Sequence, residues 1–232
     1  SSVATPPLAP PPAGSLPLGP WTPTAPTPVP FGVAPMIDAA KLIRADLGQG
    51  CCVCILGGTA FRGSDSEALV KAIAAKLDAT RKAELIFVTG GMAGVQETFA
   101  KNCGDGSRVW NLLPDGQSSG YGVGRDIHAG KDLEERKVIF GQLGDVYVTI
   151  EGGPGVSQEA AAAHARGAVV VPLRRTGGAS AGDFGFPAAA LERPSCATEE
   201  QWALLGSAEA PIADTAGAVA AIVAEAAAPS RS

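Results

Sequence analysis

Apolar and polar positions follow two different patterns along the chain from Met36 onward. Short, continuous apolar runs predict strands buried on both faces, because a half-exposed strand would alternate in steps of two. The predicted strands lie at residues 52–57, 84–89, 107–113, 145–150 and 168–173. Between and around them, apolar residues at helical spacing predict helices. The predicted helices lie at residues 36–47, 65–79, 92–102, 131–142, 155–166 and 213–228.

Strands that alternate with helices of about 10–15 residues are typical of βαβ units and a parallel sheet. The predicted fold class is therefore α/β, with a doubly wound, Rossmann-like parallel sheet in three layers. Ligands of such a sheet are expected at the carboxyl ends of its strands. Two glycine-rich stretches, residues 114–130 and 174–187, are predicted to be loops.

The first 35 residues differ from the rest because proline recurs every two to four positions. Proline fixes φ and has no amide donor, so the segment predicts an extended arm rather than a helix or a central strand. It is either a disordered linker or an arm that docks on its own domain or a partner through Trp21 and Phe31. The sequence thus predicts an arm at 1–35 and a single domain at 36–232.

Composition and charge narrow the class of function. A net charge of −5 disfavours a nucleic-acid partner, which normally meets a basic face. No apolar run is long enough to span a membrane, and no secretory signal is visible. We therefore expect the protein in the cytoplasm or a plastid. Five cysteines at irregular spacing predict neither a disulfide framework nor a metal site, so no metal and no cofactor is expected.

Glycine-containing turns follow three of the predicted strands. Glycine lets the backbone approach a ligand closely, and a helix that starts after such a turn directs free N–H groups at an anion. The turns share neither the G-x-G-x-x-G dinucleotide fingerprint nor the G-K-[ST] of nucleoside triphosphatases. They predict a site for a phosphorylated small molecule. The residues concerned are Gly57, Gly58 and Thr59 in the first turn, Thr89, Gly90, Gly91 and Gly94 in the second, and Gly152, Gly153 and Gly155 in the third.

Two charged residues are placed to act at the third turn. Glu159 lies one helical turn after Gly155, where its carboxylate either faces the ligand or only complements the helix dipole. Arg136 shares a helix face with Leu133 and Phe140, which puts a guanidinium on or beside the buried face. A buried arginine needs a carboxylate or a phosphate, although Glu134 and Glu135 would also serve as solvated partners.

These residues together resemble the LOG family of the SLOG superfamily, proteins long mislabelled as lysine decarboxylases. The family pattern is an Arg-Lys pair on a helix, a strand, and then P-G-G-x-G-T-x-x-E. Arg136-Lys137 and the segment 151–159 follow it, and Gly90–Gln96 follows an earlier G-G-x-x-G-x-M turn. The resemblance spans about residues 52–173.

The resemblance implies a phosphoribohydrolase that cleaves the N-glycosidic bond of a nucleoside 5′-monophosphate. It implies Arg136 and Glu159 as the catalytic pair, and a homodimer or larger homo-oligomer with the Arg136 helix near the interface. The three glycine turns, with Lys137, Val156 and Ser157, would hold the ligand and its phosphate.

Two positions depart from the family pattern. Glu151 replaces the proline, and Val156 replaces the threonine whose hydroxyl would meet phosphate. The G-P-G stretch is also similar to the molybdenum cofactor carrier proteins of algae, which bind a phosphate-bearing pterin without catalysis. Three hypotheses therefore stand: a hydrolase, a non-catalytic carrier or sensor of a phosphorylated small molecule, and a structural subunit that uses the proline-rich arm to contact partners.

Overall fold

The computed structural model describes residues 34–80 and 84–228. Within them, six parallel strands form one sheet in the order β4-β3-β2-β1-β5-β6. The strands are β1 (Cys51–Gly57), β2 (Leu85–Thr89), β3 (Val109–Leu113), β4 (Arg125–His128), β5 (Val146–Ile150) and β6 (Val169–Leu173). The predicted doubly wound α/β fold with a parallel sheet is confirmed.

Helices cover both faces of this sheet. They are α1 (Ala34–Asp46), α2 (Ser66–Asp78), α3 (Val95–Asn102), α4 (Leu133–Gly141), α5 (Pro154–Ala165), α6 (Glu199–Leu204) and α7 (Ile212–Ala226). One apolar core lies between the sheet and α2, α3, α6 and α7, and the other lies between the sheet and α1, α4 and α5. In the described ranges, no helix has the length and apolar character needed to cross a bilayer.

The strand order reverses direction between β1 and β5. From β1 the chain moves outward through β2, β3 and β4, and it then returns to pair β5 against β1, with Gly57 beside Ile150. Such a switch opens a crevice at the carboxyl ends of the two strands, since the segments that leave them run to opposite faces. Here α2 follows β1 and α5 follows β5, so the crevice lies between the 58–65 loop and the start of α5.

Several predicted boundaries and elements differ from the structure. The stretch 114–130 is not only a loop, because β4 occupies Arg125–His128. Short 3-10 helices interrupt the second predicted loop, 174–187, at Arg174–Thr176 and Gly178–Ala181. Helix α6 was not predicted, and α1 begins at Ala34, inside the range predicted for the arm. The rest of that arm, residues 1–33, lies outside the described residues.

Candidate functional site

The loop that follows β1 forms backbone hydrogen bonds with the end of β5 and with the start of α3, which follows the β2 turn. The Gly58 amide donates to the Ile150 carbonyl at 3.3 Å, and the Val95 amide donates to the Gly58 carbonyl at 3.0 Å. A Cβ on Gly57 would lie 2.5 Å from the Val95 side chain, and one on Gly94 would lie 2.5 Å from the Gly58 oxygen. These two glycines therefore permit the turns to pack together, while the neighbouring Thr59 is exposed.

The turn between β5 and α5 leaves open space at the start of the helix. Pro154 occupies the first helical position and has no N–H, so the next amides, of Gly155 and Val156, are the first helical donors without an acceptor inside α5. A Cβ added to Gly153 or Gly155 would meet no described atom within 4 Å. Free amides, the helix dipole and open space together suit an anion such as phosphate.

A buried ion pair lies one turn further along α5. Arg136 Nη1 donates to Glu159 Oε1 at 3.1 Å, and each side chain is only 7% exposed. The guanidinium also packs over the Phe140 ring, and its Nε has no hydrogen-bond partner among the described residues. Arg136 is thus buried with one donor unsatisfied. Leu133, expected on the same face, is 42% exposed, so that part of the prediction is wrong.

Burial dominates the electrostatics of Glu159. Desolvation raises the pKa of its carboxyl to about 7, although the positive charges of Arg136 and Lys137 act in the opposite direction. A carboxyl with a pKa near 7 exchanges its proton near neutral pH, which suits general acid–base chemistry. The unsatisfied Arg136 donor and the raised pKa of Glu159 make this pair a candidate for a functional role.

The turn after β2 positions Arg136. A Cβ on Gly90 would lie 2.5 Å from Arg136 Nη1, so only glycine leaves room for the guanidinium here. The Gln96 Oε1 accepts from the amides of Gly90 and Met92, at 3.1 and 3.0 Å, and the Thr89 hydroxyl accepts from the Gly91 amide. The amides of Gly90, Gly91 and Met92 therefore already have protein acceptors and are not free to bind a phosphate.

Three of the residues predicted to contact the phosphate have protein partners. Val156 is buried in the apolar core between the sheet and α1, α4 and α5. The Ser157 hydroxyl donates to the Asp183 carbonyl at 3.1 Å. Lys137 Nζ contacts Glu134 Oε1 at 2.9 Å and Gln158 Oε1 at 3.1 Å, and its side chain is 21% exposed. The first turn of α5 therefore offers amides to an anion but no free side-chain hydroxyl.

Glu151 turns away from the open end of α5. Its backbone has a φ of 53°, in the left-handed region, and its carboxylate accepts from the amides of Arg62, at 3.0 Å, and Gly63, at 2.8 Å. Thr176 Oγ1 accepts from the Glu151 amide at 2.8 Å. Backbone amides thus stabilise the negative charge of Glu151, and these hydrogen bonds connect the β1–α2 loop to the β5–α5 turn.

Sequence reasoning missed two residues that organise the site. Gln96 lies in the Gly90–Gln96 motif, yet the sequence predicts no role for it, although its side-chain amide accepts from the Gly90 amide and donates to the Ile55 carbonyl. Arg62 was not singled out at all. A polar residue in the first turn of a helix that follows a glycine turn is the signal that indicates Gln96. In the ranges that the structure describes, no group of three metal-ligating side chains occurs.

Comparison with known proteins gives a partial likeness to a solved structure. No protein-family profile and no curated protein matches the sequence. Among solved structures, the chain is similar to the X-ray structure of TM1055, a structural genomics target, at 24% identity and a TM-score of 0.47. The match covers 56% of this chain and 78% of that one. The sheet topology of this chain itself defines the fold.

Proposed function

We propose that this protein binds a nucleoside 5′-monophosphate with its phosphate at the start of α5 and hydrolyses the N-glycosidic bond. The observation that carries the proposal is the buried pair of Arg136 and Glu159, beside the open end of α5 at a sheet switch. The LOG-family motifs that name the same two residues support it.

The chemistry needs water and the residues of this crevice. The water oxygen bonds to the anomeric carbon while the carbon–nitrogen bond breaks, and that electron pair leaves with the base. The Glu159 carboxylate accepts the proton of the attacking water, and the departing nitrogen takes a proton from solvent. As a carboxylate, Glu159 also stabilises the positive charge that develops on the ribose ring. The products are the free base and ribose 5-phosphate.

Arg136 keeps a fraction of the buried Glu159 carboxyl groups ionised near neutral pH. Its positive charge lowers the pKa of Glu159 against the larger effect of desolvation. Without it, the carboxyl would be protonated at neutral pH and could not accept a proton. The Arg136 guanidinium thus supports the base, while its Nε is buried without a hydrogen-bond partner among the described residues.

Incubation with adenosine 5′-monophosphate and its N6-substituted analogues tests the proposal. Chromatography should detect free base and ribose 5-phosphate with the unaltered chain and not with Glu159→Gln. Absence of free base with every nucleotide would rule out the hydrolase.

A non-catalytic carrier of a phosphorylated molecule is the second candidate. It is favoured by the first turn of α5, where Val156 is buried and the Ser157 hydroxyl is engaged with Asp183. A phosphate site without a hydroxyl donor suits reversible binding of a ligand more than catalytic turnover. Phosphate-dependent thermal stabilisation without release of base would favour the carrier. If no nucleotide or pterin stabilises the protein, the structural-subunit hypothesis remains.

A further inference from the structure

A buried asparagine at the centre of β3 links the turn after β2 to the edge strand β4. Asn111 is fully buried, and it pairs in register with Thr89 at the end of β2 and with Asp126 in β4. The Thr89 hydroxyl donates to Asn111 Oδ1 at 2.8 Å, and Asn111 Nδ2 donates to Asp126 Oδ1 at 3.1 Å. Because Asp126 is exposed, these hydrogen bonds run from the interior of the sheet to its surface.

The chemistry of the partners fixes the direction of these hydrogen bonds. The Asp126 carboxylate and the Val123 carbonyl, 3.1 and 3.2 Å from Asn111 Nδ2, can only accept, so the amide nitrogen must face them. Asn111 Oδ1 then faces Thr89, whose hydroxyl donates to it and accepts from the Gly91 amide at 3.3 Å. The hydrogen bonds therefore lead in one direction, from the turn after β2 to the carboxylate of the edge strand.

The β3–β4 loop, residues 114–124, keeps that carboxylate ionised. Asp126 Oδ2 accepts from the Ser118 hydroxyl at 2.9 Å and the Ser119 amide at 3.0 Å, and Oδ1 accepts from the Ser119 hydroxyl at 2.7 Å. Desolvation raises the pKa of Asp126, but these hydrogen bonds and the one from Asn111 outweigh it, so the pKa lies below its usual value. The hydrogen bond from Asn111 is therefore charge-assisted at neutral pH.

A second contact joins the β3–β4 loop to the turn after β2. The Tyr121 hydroxyl donates to the Met92 carbonyl, and the Tyr121 ring is buried in the core beside α2, α3, α6 and α7. Burial raises the pKa of Tyr121, while a hydrogen bond with Thr89 and the positive charge of Arg136 act to lower it. The phenol thus lies at the turn and within range of the Arg136 charge.

The turn held by these contacts is the one that positions Arg136. A Cβ on Gly90 would lie 2.5 Å from Arg136 Nη1 and 3.1 Å from its Cζ, so the guanidinium packs directly against the turn. Gln96 Oε1 holds the Gly90 amide from α3, but the next amide depends on the hydroxyl that Asn111 orients. Catalytic groups need to be held to within about 0.5 Å by such supporting contacts. A displacement of this turn would therefore move the guanidinium relative to Glu159.

We propose that Asn111 is a positioning residue for Arg136, and that the β3–β4 loop holds the guanidinium in place through Asn111 and, at a second point, through Tyr121. The catalytic consequence rests on the proposed function, but the placement of Arg136 against Glu159 does not depend on hydrolysis. The inference also gives Thr89, predicted to contact the ligand, a supporting role, because its hydroxyl is engaged on both sides.

Urea unfolding of the full chain at a series of pH values tests the placement of Arg136 without any ligand. The positive charges of Arg136 and Lys137 act to lower the pKa of Glu159, which stands at about 7, so moving Arg136 away should raise it. Asn111→Asp is nearly isosteric, but it sets a second carboxylate against Asp126. Contact with an opposite charge shifts a carboxyl pKa by about 1–3 units, so partial displacement should raise the pH at which the Glu159 contribution to stability is lost by about 0.5–1 unit.

Matched variants separate positioning from the effect of an added charge. Asn111→Ala and Tyr121→Phe add no charge, and both should move this pH upward, Tyr121→Phe by less because it removes only one hydroxyl. Asn111→Asp combined with Asp126→Asn keeps the net charge and again sets a donor against an acceptor, so it should return the pH toward that of the unaltered chain. Asn102→Asp, at the end of α3 where the side chain donates to the Thr98 carbonyl, is the control and should leave the pH unchanged.

Release of base from adenosine 5′-monophosphate measures the catalytic consequence. We expect kcat to fall about tenfold or more in Asn111→Asp, with the rise of kcat moved to higher pH, and to recover in the double variant. An unchanged pH of the Glu159 contribution in Asn111→Ala, or in Tyr121→Phe should the Asn111 variants not fold, would overturn the inference. If the unaltered chain releases no base while the pH shift and its rescue occur, hydrolysis is wrong and the positioning of Arg136 by Asn111 stands.

Discussion

Arg136 Nη1 lies 3.1 Å from Glu159 Oε1, and this buried ion pair joins α4 to α5. The pairing lowers the pKa of Glu159, yet desolvation outweighs it and the pKa stands at about 7. A pair that served stability alone would sit more favourably in solvent or be replaced by apolar side chains. Burying an ion pair costs desolvation energy, and this pair lies at the strand switch. Both features favour a catalytic role for the pair.

Removing either member of the pair should stop turnover. We expect Glu159→Gln to lower kcat by about a hundred- to ten-thousandfold, the usual loss for a general base. Arg136→Ala should lower kcat and also destabilise the fold by about 3–5 kcal/mol, because it removes the partner of the buried Glu159 side chain. Base release and chemical denaturation measure the two effects.

The control for these variants is Glu67→Gln on α2, which breaks an exposed pair with Lys71 in the other helix layer. Exposed pairs contribute only about 0–1 kcal/mol, so neither kcat nor stability should change appreciably. Unchanged turnover in Glu159→Gln would remove Glu159 from the mechanism.

Stability should depend on pH through Glu159. Its pKa is raised from the ordinary 4.5 to about 7 in the folded state, so the folded protein binds the proton more tightly than the unfolded chain does. The contribution of Glu159 to the free energy of unfolding is fully present below pH 4.5 and is lost as the pH rises through about 7. Its size is on the order of 1–3 kcal/mol.

Urea unfolding at a series of pH values measures this effect. Glu159→Gln should show a flatter profile than the unaltered chain between pH 4.5 and about 7, because it has no proton to release there. Parallel profiles for the two proteins would show that the folded-state pKa of Glu159 is not raised. The turnover of the unaltered chain should rise over the same range, since the base must be ionised.

Glu151→Ala should loosen the loop between β1 and α2. The variant leaves the amides of Arg62 and Gly63 without their acceptor, at a cost of about 1–3 kcal/mol. Hydrogen exchange of residues 58–64 should accelerate, while exchange in α7 stays slow. Glu192→Ala, which removes an exposed glutamate, serves as the control. Equal exchange of the loop in both variants would show that Glu151 does not anchor it.

Gly90→Ala should displace Arg136 without altering its charge. The new methyl would lie 2.5 Å from Arg136 Nη1, so the guanidinium must move away from Glu159 and kcat should fall at least tenfold. The matched variant is Gly217→Ala in α7, where a Cβ meets no described atom within 4 Å. It should raise stability by about 0.5–1 kcal/mol and leave kcat unchanged. Normal turnover in Gly90→Ala would contradict the role of this glycine.

The strands and helices that sequence predicted are those whose pattern is set by burial alone. The run around Cys52 predicted β1 because every residue from Cys52 to Leu56 is buried. The edge strand β4 was missed because three of its four residues are exposed, and its polar sequence RDIH carries no apolar run. Helix α6 is short, and its signal is the capping box of Thr198 and Gln201 rather than a periodicity.

The sequence by itself determined the fold class and the glycine turns, and it favoured a position for Arg136 on or beside a buried helix face, because hydrophobic periodicity can be read one element at a time. Only the tertiary structure decided which groups meet. Glu151 reaches the Arg62 amide across 89 positions, and Arg136 reaches Glu159 across 23. Such contacts depend on strand order, since β5 must pair with β1 before the two loops share a crevice. The direction of Glu151, toward the loop and away from the α5 start, follows from that pairing.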